Sequence, residues 1–86
     1  MSPITFESAR QLGAVVRLAR ERAGLTQAEF ARSAGVERQW LVLLETGKVL
    51  NPSLTRVFAV VSALGLRLQV AEAPKSDSPS LDELLG

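Results

Sequence analysis

Cysteine, histidine and tyrosine are all absent from this sequence, and aromatic residues make up only 5% of its 86 positions. Without cysteine there is no disulfide framework and no thiolate metal site. Without histidine and cysteine the commonest general base and the thiol nucleophile are missing. Gly13, Gly24, Gly35 and Gly47 are too dispersed to form a phosphate-cradling loop. The serines and carboxylates show no arrangement that suggests a catalytic site, so no catalytic residue, cofactor or metal is expected. No apolar run approaches the roughly 20 residues of a membrane helix. No basic region followed by an apolar core opens the chain, so no signal peptide is evident. The expectation is a cytoplasmic chain that is not an enzyme and has no membrane partner.

What is present suits one small domain. A hydrophobic content of 47% supports one modest core with little spare stability, so dimerisation would help. The net charge of +1 hides an asymmetry. Residues 1–70 carry nine Lys/Arg against five Asp/Glu, whereas residues 71–86 carry one Lys against four Asp/Glu. A basic body suits a polyanion and an acidic tail suits a different contact, although a charge of this size is also an ordinary solvated surface.

Local signals divide the body into helices. Ser8 with Gln11 is a capping-box pattern opening a helix that runs to about Ala23. Its buried stripe is Leu12, Val15, Val16 and Ala19, and Gly24 ends it. Thr26 with Glu29 is a second capping box, with Leu25 and Phe30 placed to form a hydrophobic staple. Gly35 supplies a sharp turn, Leu41 and Leu44 recur at helical spacing after Val36, and Gly47 ends that helix. Asn51-Pro52-Ser53 marks a turn with Ser53 as the next cap. Leu54, Val57, Phe58 and Val61 then make an apolar face closed by Gly65. Beyond Gly65 the period becomes two: Leu66, Leu68 and Val70 alternate with Arg67 and Gln69, as in a half-buried strand. With no second strand visible, either two copies pair this segment across a two-fold axis or it packs on its own core. The expected domains are a body, 1–72, and an acidic, flexible tail, 73–86, rich in proline and serine. Leu81, Leu84 and Leu85 in that tail form a short amphipathic pattern, usable against a partner protein or simply frayed.

The stretch from Leu25 to Gly47, two short helices around a glycine turn, has the geometry of a DNA-reading helix-turn-helix. The run T-Q-A-E-F-A-x-x-x-G-V-x-x-x-x-L-x-x-L-E-x-G resembles the XRE/Cro-type helix-turn-helix of phage repressors and bacterial regulators, over about Gln11 to Gly65. Arg38-Gln39-Trp40 and the added strand are similar to the HipB-type antitoxins that partner HipA-like kinase toxins. The resemblance implies a mostly α, four-to-five-helix, lambda-repressor-like domain with a C-terminal β-strand pairing across a homodimer.

It also implies roles. Base edges are met by the start of the second motif helix, here Glu37, Arg38, Gln39 and Trp40. Arg38 can pair bidentately with guanine and Gln39 with adenine. Thr26 and Gln27 begin the first motif helix, where the family binds a phosphate, and Lys48 is a further phosphate candidate. Glu37 stands where the family often has Ser or Thr: it can cap or accept from cytosine, and it repels phosphate. Trp40 either touches sugar or a thymine methyl or packs on the protein, and Leu43 places an apolar group where the family is often polar. Arg20 and Glu45 are expected to form a partly buried salt bridge. The implied partners are a palindromic double-stranded operator, a second copy and a HipA-like kinase toxin. The implied function is a repressor that autoregulates its operon and neutralises that toxin. A stand-alone regulator, or a module using the helix-turn-helix for protein assembly, are the other readings.

Overall fold

The computed structural model describes residues 5–72 and Leu85. Four helices follow in chain order: α1 (Ala9–Arg22), α2 (Gln27–Ala34), α3 (Arg38–Glu45) and α4 (Leu54–Ala63). Helix α1 packs on α3, and α2 packs on both α3 and α4. Phe30, Leu41, Leu44, Val16 and Val60 are the largest side chains sealed at the centre. Leu12, Ala31, Val57 and Val61 complete the buried cluster, and Leu25, Val36, Trp40 and Leu68 pack around it.

Three of the four starts are set by local chemistry. Ser8 accepts from the Gln11 amide, Thr26 from Glu29 and Ser53 from Arg56. The α2 box is reciprocal, with the Thr26 N–H donating 2.9 Å to the Glu29 carboxylate. At α1 the pattern differs from expectation: the Gln11 side chain accepts from the Glu7 amide, one residue before the cap. The Thr26 contacts, backbone first and hydroxyl second, hold the Glu29 carboxyl below its ordinary value of 4.5. A depressed carboxyl stabilises the fold above the ordinary Glu range, and that contribution is lost as pH falls through the lowered value. Glu29→Gln is therefore expected to lower the melting temperature at neutral pH, with the deficit closing on acidification. A deficit that stays constant through the acid range would remove this account.

The helix stops share one device. Gly35 takes φ 72° and ψ 31°, the left-handed region in which a side chain is strained. This lets the Val36 N–H reach Ala31 O at 3.0 Å while the Gly35 N–H reaches Arg32 O at 3.3 Å, the paired bonds of a Schellman motif. Gly24, Gly47 and Gly65 close their helices with the same two bonds.

Two features depart from the sequence expectation. On α4 the buried stripe is Val57, Val60 and Val61, while Leu54 and Phe58 are 62% and 51% exposed. The apolar run is nearly continuous, so spacing alone did not fix which side faces α2. The contact with α2 selects the stripe that contains Val60. From Leu66 to Val70 there is no strand among the described residues. A strand is defined by its ladder, and a single chain with no neighbouring strand has none to offer. Leu68 is half-buried against the core, and Leu66 and Val70 point outward with 47% and 82% exposure. Leu81 and Leu84 lie outside the described residues, and Leu85 is exposed.

Candidate nucleic-acid interface

Helix α3 divides its residues by angle. Leu41, Leu44 and Glu45 are buried. At 3.6 residues per turn the opposite side is Gln39, Leu43 and Thr46, with Val42 and then Arg38 on one flank and Trp40 on the other. Arg38, Gln39, Leu43 and Thr46 are exposed and Val42 is intermediate. Residues able to offer donors or an apolar contact thus share one outward face. The Thr46 hydroxyl donates back to Val42 O at 2.8 Å, so it is committed to its own helix.

The start of α3 is unlike the other three. Glu37 occupies the N-cap position with extended backbone and makes no side-chain hydrogen bond to the helix. Of the roles open to this carboxylate, the cap is not formed. The first-turn amides of α3 therefore have no side-chain acceptor among the described residues, although an amide row at a helix start favours anions.

What holds α3 in place is a buried polar cluster. Arg20 Nε donates to Glu45 Oε2 at 2.7 Å and its terminal nitrogen to Oε1 at 3.0 Å, a bidentate pair. The other terminal nitrogen of Arg20 donates to Leu25 O at 2.7 Å. The Gln27 amide donates to Glu45 Oε1 at 3.2 Å. Side-chain exposure is 11% for Arg20 and 1% for Glu45. The Glu45 hydrogen bond holds the Arg20 guanidinium above its ordinary value, against the opposing pull of burial. One cluster therefore pins α1, the α1–α2 corner, the start of α2 and the end of α3. Gln27, expected to face phosphate, spends one amide hydrogen here and keeps its carbonyl and second hydrogen.

The remaining expected residues are dispersed around this frame. The Thr26 hydroxyl is engaged in its cap. Lys48 is exposed just past α3. Trp40 is half-buried against the core, and the Arg56 guanidinium lies over its ring, 5.5 Å from the centroid.

Two residues that matter to this site were not singled out from the sequence. Gly13 lies where α1 crosses α3: a Cβ there would overlap Leu44 O and stand 2.9 Å from the Leu44 carbonyl carbon. Its signal was available, since a glycine inside an otherwise regular helix has a cost that needs a reason. Arg56 carried no such signal, because it sits on another helix and meets Trp40 only through the tertiary fold.

Among the described residues no helix is long and apolar enough to cross a membrane, and no acidic cluster could hold a metal ion. A family model described as a helix-turn-helix domain matches residues 11–73. An HTH-type transcriptional regulator of Archaeoglobus fulgidus, itself uncharacterized, is 37% identical over 54 residues, 63% of this chain and 76% of its own length. A similarly named protein of Methanothermobacter thermautotrophicus is 41% identical over 51 residues, 59% of this chain and 72% of its own. Among solved structures, a HipB–O4 20mer complex superposes with a TM-score of 0.75 at 26% identity, covering 84% of this chain and all of that one. A HipA–HipB–O2–O3 complex gives 0.74 at 25% identity, covering 84% and 100%. The four-helix frame, the outward face of α3 and the family match together make this chain a member of the XRE-type helix-turn-helix family, a transcriptional regulator whose structural neighbours include HipB proteins.

Proposed function

We propose that this chain is a HipB-like antitoxin: a homodimeric repressor that binds a palindromic operator in its own upstream DNA and neutralises a HipA-like kinase toxin. The observation that carries this reading is the match to the whole length of the HipB chain in a complex with HipA. In this reading residues 1–72 are the DNA-binding and dimerisation domain, and 73–86 form the tail. Leu66, Leu68 and Val70 of two copies pair across the two-fold axis, which gives the backbone of that segment the ladder a single chain lacks. Two α3 helices then stand about 34–36 Å apart, one turn of DNA. Arg38 and Gln39 read base edges, Leu43 and Trp40 border them, Glu37 selects against some contacts, and Thr26, Gln27 and Lys48 meet the backbone. Leu81, Leu84 and Leu85 contact the toxin, and a cytoplasmic location goes with these roles.

A footprint on the chain's own upstream DNA tests the DNA half. Arg38→Ala and Gln39→Ala are each expected to relax protection, losing about 1–3 kcal/mol of discrimination at the base each one reads. Protection unaltered by both would remove the readout assignment. Deleting residues 75–86 tests the tail, since unchanged affinity for a kinase partner would sink its role.

One observation favours a second reading. Both of these relatives are named as uncharacterized HTH-type transcriptional regulators. A stand-alone regulator would bind the same DNA and lack a kinase-like neighbour in its operon. A protein-assembly module would instead bind DNA weakly or not at all, with little of the salt dependence that counterion release imposes.

A further inference from the structure

We propose that Arg56, whose guanidinium lies over the Trp40 ring, is a phosphate-contacting residue of the DNA interface, and that Trp40 is its positioning residue. The inference rests on the DNA-binding reading above and adds a contact from α4, outside the helix-turn-helix. Trp40 and Arg38 are two residues apart, so they leave α3 about 200° apart when measured around its outward side. The base-reading face lies between them. Arg38 marks one flank of that face, and Trp40 with Arg56 marks the other.

Three observations converge on Arg56. Its guanidinium lies 5.5 Å from the centroid of a ring that is itself packed against the core, within cation–π range. A guanidinium held over a ring keeps its planar fork of N–H donors, which suits bidentate contact with phosphate oxygens. The backbone is equally fixed, since the Arg56 N–H donates to the Ser53 cap. Arg56 is also exposed and has no carboxylate partner among the described residues, where the ion pairs are Arg17–Glu21 and Arg20–Glu45. Finally, Arg56 sits in the first turn of α4, where a cation opposes the helix dipole. Helix stability gives no reason for an arginine there, whereas an anion does.

The test is a salt series. Labelled duplex from the chain's own upstream DNA, and a scrambled duplex of equal length, are titrated with wild type and variants whose folding is checked by circular dichroism. Arg56→Gln is expected to reduce the slope of log affinity against log salt by about 0.9 for each phosphate no longer neutralised. Both duplexes should weaken by the same factor, because phosphate carries no sequence information. Arg56→Lys keeps most of the slope. Trp40→Phe, which retains a ring face, keeps more of the slope than Trp40→Leu. Trp40→Leu drops toward the Arg56→Gln slope, and combining the two changes it no further. An unchanged slope in Arg56→Gln overturns the proposal, as does a loss confined to the upstream duplex. Additive slope changes for Trp40→Leu and Arg56→Gln overturn the positioning role of Trp40. A flat slope in the wild type defeats the DNA-binding reading itself, and this contact with it.

Discussion

Gly13→Ala is expected to destabilise the fold by about 3 kcal/mol or more, the upper range for forcing atoms into a packed core. For a domain of this size that lowers the melting temperature by roughly 12–24 °C. Helix propensity argues the other way, since alanine in place of glycine stabilises a helix interior by about 1 kcal/mol. The geometry decides the sign. The added methyl would meet the Leu44 carbonyl, which is backbone and cannot swing aside as a side chain could. Relief requires α1 to withdraw from α3, opening the packing of Leu12, Val16, Leu41 and Leu44 along that crossing. A thermal melt reads the outcome directly. A variant as stable as wild type, or more so, would show that the crossing is not close-packed at Gly13.

The second large effect is at the polar pin. Arg20→Ala leaves the Glu45 carboxylate, 1% exposed, with only the Gln27 amide for company. Stranding a buried charge in this way costs about 3–5 kcal/mol. Glu45→Ala is expected to cost less, because Arg20 is nearer the surface and keeps its bond to Leu25 O. Replacing both, Arg20→Met with Glu45→Leu, should recover most of the loss, since a buried pair exchanged for apolar groups is often near neutral. Unchanged thermal stability in Arg20→Ala would sink this assignment. DNA affinity should fall with stability in the single variants, because the pin sets where α3 stands relative to α1 and α2.

Most of the frame was legible in the sequence because its signals are local. Ser8, Thr26 and Ser53 announce helix starts through hydroxyls that reach only three residues ahead. The four glycines announce stops through a backbone conformation that belongs to the residue itself. Arg20 and Glu45, 25 residues apart, were placed together by family resemblance, since no local pattern connects them. Where the sequence misled, the deciding contact was tertiary. On α4 the run from Leu54 to Val61 offers apolar residues on more than one side, and only packing against α2 chooses among them. Glu37 failed as a side-chain cap although its backbone occupies the cap position, because a cap depends on rotamer as well as residue type. The face of α3 was legible from spacing, but the Arg56–Trp40 contact was not, as it joins two helices with no shared period.

The separation of faces on α3 has a consequence for how such a chain diverges. Leu41, Leu44 and Glu45 carry the attachment of this helix to the body, while Arg38, Gln39 and Leu43 lie exposed on its outer side. Exchange at the outer positions leaves the attachment intact, and surface substitutions of that kind usually shift stability by less than about 0.5 kcal/mol. A duplicated copy can therefore acquire a new target sequence in single steps while every intermediate still folds.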